Sequence, residues 1–427
     1  MNELHTRILA QIRTVPVFDV HSHLGGRRQA QNLADLMSYH WLTYELRRAA
    51  RRGFATKAHV DPESYILEIL PYVPHIRQTT THFAFMSIMR DLYGVEERTL
   101  TPDNWRRADE AIRAHADDAS WIATVLDRAG IRKVSVARRD GMPDDTPRWM
   151  PYEYGEYMLA AARRRGHDEI AGHRPEREYL FDDDEPPPKK PGHLKDRIEA
   201  RIESLAKEHG VRAIHLWPRE DWIYRQPKLG DVQAAVSRQG RGEALSFDEK
   251  SDVTSFAADC IAKYAGRNGI VVQFFHGMTA PSPDWPGCAS TFNAPYLRAL
   301  FDLVSAHRDT TFDLFLATRI PSHEAAAMGR THTNLMVSGA WWHGFAADTM
   351  LQFFRDRLDL MPTNAWNAFY SDGYAVEWIY GKLSMVLNRL SLALAQMVDE
   401  GLIVEDDCLD IARDLLHDNA ACAYLGE

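Results

Sequence analysis

A chain of 427 residues with 45% hydrophobic content can bury either one enlarged α/β barrel or two ordinary domains. The formal net charge of -10 makes the arginine clusters at 47–52 and 163–165 solvated helix faces rather than a nucleic-acid surface. Four cysteines without a C-x-x-C pair exclude a thiolate zinc site and a disulfide framework. With no secretory leader and no run of about eighteen apolar residues, we expect a cytoplasmic protein that binds neither nucleic acid nor membranes.

Two histidines follow the first predicted strand, in the stretch "PVFDVHSHLGG" at 16–26. Side chains alternate along a strand, so His21 and His23 face the same side with Cα atoms about 6.5 Å apart. Two imidazoles at that separation can bind one metal ion, whereas adjacent residues cannot. The spacing therefore predicts a metal site at the carboxyl end of this strand.

Helical periodicity follows the first strand. It is clearest at 32–53 and at 117–130, where a glycine ends the helix, and it predicts a mainly helical insertion over 25–130. Later segments alternate strand and helix, as in βα units. The predicted strands after the first are 132–138, 212–218, 269–277, 310–317, 333–341 and 367–372, and one more is expected within 140–185.

These elements predict a single α/β domain over 1–427. It is a (β/α)8 TIM-like barrel with a helical insertion after strand one, and an open doubly wound sheet is the alternative. The Pro-rich stretch at 182–193 is expected to be a solvated surface loop.

In a parallel barrel, catalytic groups lie at the carboxyl ends of the strands. Besides the first histidine pair, polar and aromatic residues end five predicted strands: His215 and Trp217, Gln273 and His276, Arg319, Trp341 and Trp342, and Asp372. Imidazoles and a carboxylate from separate strands suit a divalent cation such as zinc, with one coordination position left open. Two alternatives stay open: His215 as a hydrogen-bonded core histidine, and Asp372 as the cap of the next helix.

Several stretches resemble the uronate isomerases, the glucuronate isomerase branch of the amidohydrolase superfamily. They are "FDVHSHL" at 18–24, "LMSYHWLTYELRRA" at 36–49, "NLMVSGAWWHGF" at 334–345 and "FYSDGYAVEWIYGKLSMVLNRL" at 369–390. The resemblance implies a metal-bearing (β/α)8 barrel. It makes His21, His23 and Asp372 the metal ligands.

The resemblance also places residues around a sugar: His40, Arg319, Trp341 and Trp342. His276 falls near a family histidine that follows a similar strand. Trp41 and Tyr374 are also expected at the sugar site, where they depart from the family pattern, since Trp41 replaces a tyrosine and Tyr374 replaces an arginine. An anionic sugar then needs another cation, for which Arg27, Arg28 and Arg319 are candidates.

Taken together, the residues and the resemblance predict a metal-dependent aldose–ketose isomerase of carbohydrate metabolism that acts on a uronate or related sugar acid. Asp372 or His40 would move the proton between C1 and C2. A metal-dependent hydrolase or lactonase is the alternative, because the same ligands can activate water. A non-catalytic sugar-binding relative is a third possibility. We expect a homo-oligomer.

Overall fold

The computed structural model describes residues 3–24, 29–138, 141, 147–159, 180, 188–218, 222–278, 293–340 and 342–427. Eight strands within these ranges form one sheet, in which neighbours follow chain order and all pairs are parallel. Sequential order excludes the doubly wound alternative, whose strand order reverses, and is consistent with a TIM-like barrel. The strands are β1 Val17–Ser22, β2 Ile131–Ala137, β3 Trp149–Tyr154, β4 Ala213–Leu216, β5 Val271–His276, β6 Phe312–Leu316, β7 Leu335–Ser338 and β8 Trp366–Asn367.

α-Helices precede, connect and follow these strands. α1 Glu3–Ile12 precedes β1, and the β1–β2 connection contains α2 Leu33–Met37, α3 His40–Ala50, α4 Pro62–Ile69, α5 Thr80–Tyr93, α6 Trp105–Arg113 and α7 Trp121–Arg128. The later helices are α8 Glu156–Leu159, α9 Pro191–His209, α10 Leu229–Gly240, α11 Phe247–Asn268, α12 Ala294–Ala306, α13 Ser322–Thr331, α14 Ala347–Leu360, α15 Val376–Asp399, α16 Asp407–Arg413 and α17 Asn419–Leu425. None of the helices within the described ranges is both long and apolar enough to cross a membrane.

The strands are buried on both faces. Phe18 and Phe275 belong to an inner cluster, while Phe274 and Val272 pack outward in the larger cluster formed with the helices. A strand covered on both sides carries apolar residues at nearly every position, which explains the continuous apolar runs in the sequence.

The end of β1 is bonded to the segment that follows β8. The register of β1 against β2 shifts before Ser22, so the strand is irregular where it ends. The Asp372 N–H donates to the His21 carbonyl at 2.9 Å, and the His23 N–H donates to the Gly373 carbonyl at 2.9 Å. The first and last parts of the sheet therefore meet at the predicted metal ligands.

The structure shows where the missing strand lies and where the last strand ends. β3 lies within the window 140–185, where the missing strand was expected. The strand predicted at 367–372 is wrong beyond Asn367, because the Ala368 N–H bonds to the Leu415 carbonyl instead of continuing the ladder. Asp372 consequently lies in a loop, five residues after β8.

The connecting segments contain helices where the sequence shows helical periodicity. Helices α2 and α3 cover most of 32–53, and α7 is followed by Gly130 with a φ of 70°, the left-handed conformation typical of a helix end. The Pro-rich loop predicted at 182–193 ends earlier than expected, because the fixed φ of Pro191 suits the first turn of α9. Residues 181–187 lie outside the described residues.

Candidate metal centre and its surroundings

His21 and His23 converge at the carboxyl end of β1. Their ring centroids lie 5.2 Å apart, His21 is fully buried and His23 is 9% exposed. Burial lowers the pKa of His21 to about 3, and the neighbouring His23 contributes to the shift. A neutral imidazole keeps a nitrogen lone pair, which is what metal binding requires.

Asp372 approaches the same point from the loop after β8. Its Oδ1 lies 2.8 Å from Nε2 of His23, and its backbone φ of 49° is one that aspartate tolerates better than most residues. Burial alone would raise the pKa of the Asp372 carboxyl, but His23 and Lys382 together hold it well below its usual range. Asp372 does not cap the next helix, since α15 begins after Ala375 and has no side-chain cap.

His21, His23 and Asp372 form a group that could hold a metal ion. One candidate ligand atom from each lies within 4.8 Å of the other two, and all three residues are buried. Two imidazole nitrogens and one carboxylate oxygen are a donor set for zinc and similar divalent cations, with room for a further ligand. Within the part of the chain that the structure describes, no second group of this kind occurs.

Two tyrosines of β3 lie on the side of His23 that faces away from Asp372. The Tyr154 hydroxyl lies 2.7 Å from Nδ1 of His23, and the Tyr152 hydroxyl donates to the Tyr154 hydroxyl at 3.0 Å. Hydrogen bonds on the nitrogen that faces away from a metal fix the ring's orientation. Sequence reasoning missed both residues, although their spacing in "PYEY" has the period of two expected for one strand face.

Lys382 of α15 donates hydrogen bonds to the backbone of the loop that carries Asp372. It is buried, and its ammonium donates to the Ser371 carbonyl and, at 3.4 Å, to the Asp372 carbonyl. Burial lowers the pKa of Lys382 to about 8. A lysine in the middle of a long apolar helix is a signal that sequence reasoning could have used.

Trp41 was predicted to contact the sugar, but the structure gives its ring another partner. The Lys382 Nζ lies 4.1 Å from the Trp41 ring centroid, and the Phe345 ring lies 5.0 Å from it. Trp41 is only 7% exposed. Its ring thus packs against Lys382 and also lies 5.6 Å from the His40 ring and 6.2 Å from the Trp342 ring.

His40, Tyr374 and Trp342 form an aromatic wall beside the metal group. Tyr374 stacks on His23 at 4.7 Å and meets the His40 ring edge to face at 5.6 Å, while Trp342 lies 4.9 Å from His40. The buried Nε2 of His40 has no hydrogen-bond partner among the described residues, and burial lowers the pKa of His40 to about 3. A neutral imidazole with an unused nitrogen can accept a proton from a ligand bound there.

His276 lies on the other side of β5 from the metal group. Gln273 and Phe275 face His21, so alternation directs His276 outward, where it stacks on Tyr296 of α12 at 5.0 Å. The structure therefore does not bring His276 to the predicted sugar site.

His215 of β4 also lies on the inner face of the sheet. Its ring lies 5.2 Å from that of His21, and its Nε2 lies 3.6 Å from a Glu156 carboxylate oxygen. It is fully buried beside the site.

Of the three predicted arginines, the structure describes Arg319. Arg319 has a side chain 56% exposed, and its guanidinium lies 3.8 Å from the Asp348 carboxylate, its only polar contact within the described ranges. The predicted residues Arg27, Arg28 and Trp341 lie outside the described residues.

A parallel eight-stranded α/β sheet with a His-His-Asp group at its carboxyl edge defines a barrel-type protein with a candidate metal centre. Solved structures share this fold along nearly their whole length. The uronate isomerase of Thermotoga maritima matches with a TM-score of 0.81 and 14% identity, over 99% of this chain and 98% of that one. Glucuronate isomerase of Caulobacter crescentus matches with a TM-score of 0.78 and 13% identity, over 99% and 94% of the two chains.

A third solved structure agrees with these. The uronate isomerase of Bacillus halodurans matches with a TM-score of 0.71 and 16% identity, over 99% of this chain and 96% of that one. No protein-family model and no curated protein sequence matches the chain. At these identities the comparisons establish a common fold.

Proposed function

We propose that this protein is a metal-dependent aldose–ketose isomerase that acts on a uronate or related sugar acid. The observation that carries the proposal is the buried His21–His23–Asp372 group at the carboxyl edge of the sheet. The full-length fold shared with uronate and glucuronate isomerases supports it.

His21, His23 and Asp372 would hold the cation, and their donor set suits zinc. A bound divalent cation would supply Lewis-acid stabilisation of negative charge on the substrate oxygens. The Asp372 carboxylate is ionised, so its oxygens would be available to accept a proton from the substrate. His40 is neutral and its Nε2 is unused, so it can accept one as well.

The wall of His40, Tyr374 and Trp342 would bind the sugar beside the cation. Aromatic faces pack against the apolar faces of sugar rings, and the Tyr374 ring is fixed between the two histidines. Trp341, Arg27 and Arg28 belong to the proposed substrate site by resemblance, with an arginine pairing the sugar carboxylate. His276, Trp41 and Arg319 were predicted there too, but their contacts in the structure give them other partners.

We also propose a closed (β/α)8 barrel with residues 25–130 as its helical insertion, a cytoplasmic location and a homo-oligomeric state. Light scattering of the purified protein tests the last of these.

The experiment is to incubate the protein with glucuronate and with galacturonate and to follow the keto sugar acids. Isomerase activity gives reversible interconversion without uptake of water, and in D₂O it introduces deuterium at the carbon that exchanges its proton. Conversion of a lactone or ester to acid, without interconversion of uronates, would instead support a hydrolase. The Asp372→Asn variant is the matched inactive control.

A further inference from the structure

Gln273 contacts the His21 ring at Nδ1 and determines which ring nitrogen carries the proton. Its side-chain nitrogen donates to the Val20 carbonyl at 3.0 Å and to the Tyr424 hydroxyl at 3.0 Å. A carbonyl can only accept, so the amide nitrogen is held on that side and Oε1 faces His21, 3.3 Å from its Nδ1. This arrangement puts the proton on Nδ1, and the His21 Nε2, which lies 3.3 Å from the Tyr152 hydroxyl, keeps its lone pair.

Tyr424 comes from α17, the C-terminal helix. Its ring lies 6.0 Å from Phe18, and its hydroxyl donates to Oδ2 of Asp313 at 2.6 Å. Phe18 and Asp313 are the second residues of β1 and β6, so α17 reaches the sheet from the amino-terminal ends of the strands. The metal group lies at the opposite, carboxyl ends.

The hydrogen atoms available determine which group donates and which accepts in each of these hydrogen bonds. A hydroxyl has one hydrogen, which Tyr424 gives to Asp313, so its oxygen is left to accept from Gln273. Asp313 is itself fixed, since Ser338 donates to the same Oδ2 at 2.8 Å and Asn367 donates to Ser338 at 2.9 Å. All these side chains are buried, where such networks hold one arrangement.

We propose that Tyr424 is a positioning residue for the metal centre. The C-terminal helix selects, through Gln273, the His21 tautomer and ring orientation that bind a divalent cation. This inference rests on the proposed metal site. It extends that site across the barrel to a residue at the far end of the chain.

The test compares Tyr424→Phe with Tyr296→Phe. Each removes one buried tyrosine hydroxyl, but the Tyr296 hydroxyl donates to the Phe275 carbonyl at 3.2 Å and has no bond to Gln273. The Zn²⁺ dissociation constant is measured by competition with a chelator at fixed pH, and the unfolding of the metal-free proteins is measured in urea. Outer hydrogen-bond partners of a metal-binding histidine change affinity by about 10- to 100-fold. We expect that loss in Gln273→Leu.

Tyr424→Phe should weaken Zn²⁺ binding less, by roughly 3- to 10-fold, since the Val20 carbonyl still holds Gln273. Tyr296→Phe should destabilise the fold to a similar extent and leave the dissociation constant at the wild-type value. Equal dissociation constants in the two tyrosine variants would overturn the inference while leaving the proposed metal site intact. A wild-type protein that binds no Zn²⁺ would overturn both.

A measurement on the metal-free wild type keeps the inference testable should Tyr424→Phe fail to fold. The ¹⁵N chemical shifts of the His21 ring distinguish a proton on Nδ1 from one on Nε2. We expect the Nδ1–H form. An Nε2–H form would show that Gln273 does not set the tautomer.

Discussion

The ammonium of Lys382 lies 4.1 Å from the centre of the Trp41 ring and donates to the Ser371 carbonyl, one residue before Asp372. This buried cation ties α3 and α15 to the loop that carries the candidate carboxylate ligand. It also neutralises part of the negative charge that Asp372 brings into a dry site, as its effect on the Asp372 pKa indicates.

Lys382→Met should lower kcat/KM by at least about 10-fold, because hydrogen bonds from a charged group contribute about 1.5 to 3 kcal/mol and the Asp372 loop loses them. The free energy of unfolding should change by less than about 2 kcal/mol, since an apolar side chain of similar length is often accepted in place of a buried charge. Uronate turnover and urea unfolding measure the two effects. Lys195→Met, at an exposed lysine, is the control and should change neither. Equal activity in both variants would contradict the role of Lys382.

Protein purified without chelator should contain about one divalent metal ion per chain by elemental analysis, with zinc expected from the donor set. The double variant His21→Ala and His23→Ala should lose the metal and keep its helical circular dichroism, because Val17, Phe18 and Val20, the apolar residues that bury β1, are unchanged. His75→Ala, at an exposed histidine, is the matched control. Retention of the metal in the double variant would place the site elsewhere.

Asp372→Asn should remove activity far more than it removes metal. The amide oxygen can still bind a cation weakly, but it cannot accept a proton from the substrate. Metal content and kcat are measured on the same preparation. Parallel losses of the two would mean that Asp372 acts only as a ligand.

An arginine that pairs with a substrate carboxylate should be visible in kcat/KM. Alanine at the true partner should lower kcat/KM for glucuronate by roughly 10- to 100-fold, since a bidentate contact contributes about 1.5 to 3 kcal/mol. We expect the larger effect at Arg27 or Arg28 and the smallest at Arg319, whose guanidinium is more than half exposed and faces Asp348. If none of the three variants changes uronate turnover, a neutral sugar becomes the better substrate hypothesis.

The buried carboxyl of Asp313 should make stability depend on pH. Burial raises the pKa of Asp313 to about 6, against the opposing effects of Ser338, Tyr424 and the Arg357 guanidinium of α14. Between about pH 4 and 6 the folded state then binds more protons than the unfolded state. This contribution to stability is therefore present below pH 4 and falls by roughly 2 to 3 kcal/mol as pH rises to 6.

Urea unfolding of wild type and Asp313→Asn over this pH range isolates that contribution. Other carboxylates affect both proteins alike. The free energy of unfolding of Asp313→Asn should therefore increase relative to that of the wild type as pH rises. A difference that stays constant with pH would show that Asp313 ionises normally.

Local patterns in the sequence determined the elements of this protein and part of its site. Period-two spacing placed His21 and His23 together, and alternating apolar runs gave the sequential βα order, because both depend on neighbours within a few residues. The predicted end of strand eight added Asp372, and the resemblance to uronate isomerases made it a metal ligand. It lies beside His23 although its strand is shorter than predicted.

Only the tertiary structure decided which side chains meet across the barrel. His276 was assigned to the site because it ends the predicted strand and falls near a family histidine. Since β5 is buried on both faces, its sequence does not show which residues point inward. Lys382, Tyr154, Gln273 and Tyr424 reach the metal group from elements far apart in the chain. Their contacts depend on how helices and strands pack around the core, which spacing along the sequence does not encode.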